Sequence, residues 1–211
     1  MVPSRYEGTR SNESFRRGDD ALVSSELVFI TGGVRSGKSA YAEKYLVNLA
    51  ATSPEKRLVY VATGVPFDDE MKQRIIRHQN DRAGQRWTTI EQPTDFSMLL
   101  SKLNEGDAIL WDCVTTWLTN EFYNGYETGV SCFQKEGCIE RKFIAMQNTI
   151  YALRERNIPI VVVSNEVLDE PLSPSYEVRL YQKWLGRIHQ WFVAEATTAI
   201  EMEYGQMHQW K

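Results

Sequence analysis

Eight consecutive residues, Gly32-Gly33-Val34-Arg35-Ser36-Gly37-Lys38-Ser39, carry the sharpest chemical pattern in the chain. They match G-x-x-x-x-G-K-[ST], a spacing suited to holding a polyphosphate. Glycines let successive backbone N–H groups turn inward onto phosphate oxygens, and the start of a following helix adds partial positive charge. Lys38 then bridges the β and γ oxygens, and the Ser39 hydroxyl is placed to ligate Mg2+. The alternative is a glycine-rich turn without a ligand. It would not require the apolar run Leu27-Val28-Phe29-Ile30 before it and the helical pattern from Lys38 to about Ala51 behind it. Phosphoryl chemistry also needs a metal-side carboxylate at the end of a second buried strand. Asp112 follows Ala108-Ile109-Leu110-Trp111 and fits that role through a bound water, or else caps the next helix. Asp107 is a weaker competitor because it precedes that strand.

A second set of residues suggests a nucleophile. Glu70, Arg74, His78 and Arg82 recur every four positions, so on a helix they share one face beside the apolar Met71 and Ile75. Guanidinium groups one turn either side of His78 would bind phosphate and keep the imidazole neutral and nucleophilic. The competing account is a solvated face with a Glu70–Arg74 pair and His78 at its border, and from residue types alone that account is the simpler one. His189 and His208 stand among tryptophans and polar residues without ligand spacing, which marks both as structural. Asn165 and Glu166 follow a buried strand, where they either meet ligands or cap a helix.

The elements that must position these groups alternate. Strands are expected at Leu27–Ile30, Leu58–Ala62, Arg86–Glu91, Ala108–Trp111 and Ile158–Val163, and helices at Lys38–Ala51, Asp68–Arg82, Thr94–Asn104, Trp117–Tyr123, Ile139–Arg156 and Ser175–Ala196. Thr94 reads as the cap of its helix, and a closing pair of strands turns about Gly205. Such alternation predicts an α/β protein with a mostly parallel sheet, helices on both faces and a short C-terminal β-hairpin.

The 211 residues favour one domain over 26–211, preceded by a tail at 1–25 whose mixed charge and low hydrophobicity predict disorder. A net charge of -4 gives no field for gathering nucleic acid. No apolar run is long enough for a membrane span. Cys113, Cys132 and Cys138 form an odd set without C-x-x-C spacing, which predicts neither a disulfide framework nor a zinc site and fits the cytoplasm.

Taken jointly, these motifs resemble the family of bifunctional adenosylcobinamide kinase and adenosylcobinamide-phosphate guanylyltransferase enzymes. The phosphate loop is similar to that family's G-G-x-R-S-G-K-S, in which the positions of Arg35 and Ser36 are distinctive. Tyr60-Val61-Ala62-Thr63, Asp69-Glu70-Met71, Arg74-Ile75, His78, Arg82, Trp87, Thr89 and Glu91 resemble its second block. Asp112 to Asn120 and Val163 to Val167 resemble the third and fourth. The resemblance implies a RecA-like P-loop NTPase fold, a homotrimer, and His78 as the residue that takes GMP covalently. It further implies that Ala62, Thr63, Gly64, Gln79, Asn80, Asp81, Arg82, Glu91 and Asp112 border the GTP. The implied substrates are ATP or GTP, adenosylcobinamide and its phosphate, with Mg2+ on Ser39 and Asp112. The chain departs from the family at Leu168–Pro174, which lacks the usual glycine, and at His189, where asparagine is common. Two rivals stay open: a kinase for another small molecule, and a nucleotide-binding protein without turnover.

Overall fold

The computed structural model describes residues 25–51, 55–64, 87–168 and 173–211. The expected helix Asp68–Arg82, with His78 and Gln79 to Arg82, lies outside the described residues, as does nearly all of the expected tail.

Seven strands form one sheet: β1 (Leu27–Gly32), β2 (Arg57–Ala62), β3 (Trp87–Glu91), β4 (Asp107–Asp112), β5 (Ile160–Val163), β6 (Thr198–Glu203) and β7 (Gln206–Gln209). Their order across the sheet is β3-β2-β4-β5-β1-β6-β7. Every neighbouring pair is parallel except β6 and β7, which make the expected hairpin. The strand that feeds the phosphate loop is therefore separated by β5 from the strand that ends in Asp112.

Helix α1 (Lys38–Ala51) covers one face; α2 (Val114–Tyr123), α3 (Cys138–Glu155) and α4 (Tyr176–Glu195) belong to the other. Period-two alternation along β1 explains the split. Val28 and Ile30 point to Ala42 and Leu46 of α1, whereas Leu27 and Phe29 point to the larger core of Trp111, Trp117, Ile150 and Phe192. Both sets are buried, so β1 reads as a continuous apolar run, as parallel strands covered on two faces do. Each fully buried side chain of this size contributes about 1.5–3 kcal/mol. Phe29 stacks on Phe192, and Phe96 lies 4.0 Å from Trp111 between ring centres.

Three expectations are corrected. The helix expected over Thr94–Asn104 is a six-residue 3-10 helix, Phe96–Ser101. Thr94 does not cap it: Asp95 takes the N-cap position with a left-handed φ of 47°, and its backbone N–H donates to Glu121 Oε1 at 2.6 Å. Lys142 pairs with both Asp95 and the buried Glu121, so contacts from α2 and α3 fix this segment over local propensity. Secondly, Cys132 and Cys138 are joined in a disulfide. A spacing of six lacks a familiar motif, but two tight turns around Ser131 and Gly137 bring the sulfurs together. Thirdly, the fifth strand starts at Ile160 rather than Ile158, since Pro159 has no N–H to give to a ladder.

The described chain begins at Ser25, whose hydroxyl donates to the Ile158 carbonyl at 2.7 Å. Among the described residues no helix is long and apolar enough to cross a membrane.

Candidate active site

Parallel strands present their carboxyl ends to one edge of the sheet, and ligands of open α/β sheets collect there. The phosphate loop leaves β1 at that edge, Asp112 ends β4, Ala62 ends β2 and Glu91 ends β3. Register confirms the alignment: Asp112 lies opposite both Ala62 and Val163, and Ala62 opposite Glu91. The edge is broad. At roughly 4.8 Å per strand, β3 lies roughly 19 Å from β1, so Glu91 and the loop cannot touch the same phosphate.

The loop has the geometry of an anion cradle. Arg35 and Gly37 have φ of 63° and 91°, values that turn backbone amides inward, and the Tyr41 N–H donates to the Gly37 carbonyl as α1 begins. Lys38 is only 7% exposed and its ammonium donates to the Gly33 carbonyl at 3.0 Å, folded across the loop it closes. Ser36 Oγ is buried and has no hydrogen-bond partner among the described residues. A buried hydroxyl of that kind costs free energy unless a ligand oxygen satisfies it. Val34 stands exposed at the loop's crest.

Gly32 is required by close approach as well as by φ. A Cβ there would sit 2.3 Å from the Met202 carbonyl oxygen of β6 and 2.8 Å from Ser36 Oγ, at φ +152°. Gly33, one residue on, would meet nothing within 4 Å. Gly32→Ala is therefore expected to lower stability by about 2 kcal/mol and phosphoryl transfer about 100-fold, because loop and hairpin must part. Gly33→Ala should change unfolding much less. Urea unfolding and initial rates of the two variants check this, and equal effects on stability would contradict the steric account.

Asp112 sits where a metal-side carboxylate is needed, with Tyr60 O–H donating to its Oδ2 at 3.1 Å. Asp107 is removed from contention, since Arg57 grips both its oxygens at 2.7 and 2.8 Å. The Ser39 hydroxyl, in the first turn of α1, and the Asp112 carboxylate are both oxygen donors, the chemistry that suits Mg2+. Thr63 is wholly buried, with its hydroxyl bonded to both the N–H and the carbonyl of Cys113. Its side chain is thus spent inside the protein, which leaves only its backbone to face a ligand. Asn120 Nδ2 holds the Thr63 carbonyl at 2.8 Å, which fixes the turn into Gly64.

Beyond β5, Ser164 Oγ lies 2.7 Å from His189 Nε2 of α4, and His189 Nδ1 lies 3.9 Å from Glu166 Oε2. The Glu166 N–H donates to the Gly32 carbonyl, so this cluster abuts the base of the phosphate loop. With Nδ1 protonated toward the carboxylate, Nε2 accepts the buried Ser164 hydroxyl. Burial pushes the His189 pKa down to about 4, and the carboxylate is too distant to hydrogen bond and reverse that.

A neutral native histidine binds fewer protons than its unfolded counterpart below pH 6.5, so its contribution is full above pH 6.5 and is lost as pH falls toward 4. Between pH 7.5 and pH 5 the loss is about 2 kcal/mol. Urea unfolding of the protein and of His189→Asn at both pH values checks it: the variant should lose less. An equal loss would place the titration elsewhere.

Three features were not legible in the sequence. The Ser164–His189 contact joins a strand end to a helix 25 residues further on, and no local pattern links the two. Asn165 Nδ2 donates to Thr115 Oγ1 at 2.8 Å and ties β5 to α2. The turn after β6 rests on the phosphate loop, where the Gly205 N–H donates to the Ser36 carbonyl at 3.1 Å. A Tyr-Gly pair between two short strands signalled a turn, but not what it would touch.

A family model described as cobinamide kinase / cobinamide phosphate guanyltransferase matches residues 28–209. The chain is 29% identical over 172 residues to the bifunctional adenosylcobalamin biosynthesis protein CobU of Escherichia coli, covering 81% of this chain and 91% of that protein. It is 31% identical, with the same coverage, to the protein of that name from Salmonella typhimurium. It is 42% identical over 92 residues to the bifunctional adenosylcobalamin biosynthesis protein CobP of Pseudomonas aeruginosa, covering 43% of this chain and 50% of that protein.

Proposed function

This chain belongs to the cobinamide kinase / cobinamide phosphate guanyltransferase family, and from that premise we propose that it is a transferase with both activities on adenosylcobinamide in cobalamin biosynthesis. The observation that carries the reading is the match over 28–209, with a built phosphate cradle at Gly32–Ser39 and Asp112 at the same sheet edge.

In the kinase step, the aminopropanol hydroxyl of adenosylcobinamide attacks the γ-phosphorus of ATP or GTP, a nucleoside diphosphate leaves, and the hydroxyl proton passes to a base. Lys38 and the loop amides hold the phosphates in line, and Ser39 and Asp112 would hold Mg2+, which would supply charge neutralisation for the transferring group. Positioning and electrostatics carry this step, since phosphoryl transfer leaves little covalent work to the protein.

In the second step, a His78 ring nitrogen attacks the α-phosphorus of GTP and pyrophosphate leaves. A phosphate oxygen of adenosylcobinamide phosphate then attacks the same phosphorus, releasing His78 and giving adenosylcobinamide-GDP. Two easier displacements replace one hard one. Arg74 and Arg82 would balance the charge, while Ala62, Thr63, Gly64, Gln79, Asn80, Asp81, Arg82, Glu91 and Asp112 border the GTP. We further assign the catalytic unit to residues 26–211, acting as a homotrimer; the cytoplasmic expectation rested on unpaired cysteines, and the Cys132–Cys138 disulfide removes that ground.

Incubating the protein with GTP and adenosylcobinamide, and following pyrophosphate together with the corrinoid product, tests the reading. Release of pyrophosphate with formation of adenosylcobinamide-GDP is expected. Phosphorylation of a different small alcohol instead, or nucleotide binding with no turnover, would refute it.

A further inference from the structure

The hairpin turn between β6 and β7 carries a residue that neither its backbone nor its packing explains. Tyr204 and Gly205 both have positive φ, 48° and 79°, as the two central residues of a hairpin turn of the primed kind do. Asn-Gly is the natural pair for that geometry, and a bulky side chain in the left-handed region is held there at a cost. Packing does not offset the cost, because Tyr204 is 91% exposed. Strained positions that persist without a structural return concentrate at ligand clamps.

The surroundings supply the ligand. Gly205, next to Tyr204, donates its N–H to the Ser36 carbonyl, and its Cα lies 3.8 Å from where a Cβ on Gly37 would stand. Two residues before Tyr204, the Met202 carbonyl closes on Gly32. The turn thus rests on the phosphate loop, and Tyr204, next to the residue that touches the loop, stands exposed in solvent. A nucleotide held there by its phosphates leaves its base projecting from the loop with an apolar face to cover. Every base offers a π-face, so an aromatic ring can serve ATP and GTP alike.

We propose that Tyr204 is the stacking platform for the nucleobase of the kinase-step nucleotide, the purine nucleoside triphosphate whose phosphates occupy Gly32–Ser39, and not of the GTP bordered by Ala62 and Glu91. The proposal rests on the reading of that loop as a nucleotide cradle. Tyr204 acts through its ring face, so its hydroxyl is dispensable.

The test is isothermal titration of ATP, GTP and inorganic tripolyphosphate, each with Mg2+, into the full chain and into Tyr204→Asn and Tyr204→Phe. Asparagine suits the turn better than tyrosine, so Tyr204→Asn should melt at the same temperature or higher. It should nonetheless bind ATP and GTP roughly tenfold or more weakly while binding tripolyphosphate as the parent chain does. Tyr204→Phe should bind all three like the parent. Undiminished ATP and GTP affinity in Tyr204→Asn would overturn the stacking role and leave the cradle intact. A parallel loss of tripolyphosphate affinity would also overturn it, by showing that the turn acts through the shape of the loop. Failure of the parent chain to bind either tripolyphosphate or nucleotide would sink the cradle reading and the proposal with it.

Discussion

Guanylyl transfer is expected to vanish in His78→Ala while most phosphoryl transfer survives. If His78 is the group that forms the bond to the α-phosphorus, its loss removes the covalent step itself, and deleting a nucleophile typically costs on the order of 10³-fold or more. The proposed kinase step rests on Lys38, Ser39 and Asp112, none of which the substitution touches. Incubation with GTP and Mg2+ alone should leave a GMP adduct on the peptide containing His78. A phosphoramidate is lost in acid and survives in base, unlike a phosphate ester of serine, so the lability of the adduct identifies the bond. An adduct that persists in His78→Ala, or that maps to His189 or His208, would refute the assignment. His189 is already an unsuitable nucleophile, being 8% exposed with Nε2 beside the Ser164 hydroxyl. Loss of both activities together would mean that Arg74, His78 and Arg82 position nucleotide for each step.

Lys38→Ala is expected to lower kcat/KM for phosphoryl transfer by about 10²- to 10³-fold, the usual consequence of removing one preorganised charge from a developing anion. The ammonium is buried against the Gly33 carbonyl at the mouth of the cradle, so its charge acts where water is largely excluded. Lys38→Arg should rescue little, because a planar fork does not replace a compact ammonium in a loop closed around it. The fold should survive, since α1 keeps its apolar contacts at Ala42 and Leu46 and its first-turn bond from Tyr41 to Gly37. Rates within a few-fold of the parent in a folded Lys38→Ala protein would remove the phosphate-loop assignment. Comparing the two variants separates the half-reactions.

Legible from residue order alone were the groups whose chemistry depends on neighbours along the chain. The cradle at Gly32–Ser39 is one, because strand, turn and helix start follow one another without a gap. The alternation of buried strands and helices is another, since periodicity reports which faces are covered, and Asp112 at the end of an apolar run is a third. Local reasoning went wrong where distant residues outbid local preference. Thr94 is a good cap, yet Glu121 and Lys142 hold Asp95 in a left-handed conformation and the helix shrinks to a 3-10 turn. The Cys132–Cys138 disulfide was missed because no motif marks the turns that close it, whereas Asp107, read as the weaker carboxylate, is held by Arg57.

Which strand ends stand together depends on packing between segments far apart in the chain. The order β3-β2-β4-β5-β1-β6-β7 places β5 between the loop strand and the Asp112 strand, sets Ser164 against His189 and lays the Tyr204–Gly205 turn on Ser36. Ser36 and Gly205 belong to segments that no local pattern links. Their meeting follows from the pairing of β1 with β6, which is selected by the joint burial of Val28, Ile30, Ile200 and Met202. Burial is non-directional and summed over the whole core, so the partners it brings together carry no mark in the sequence around either one.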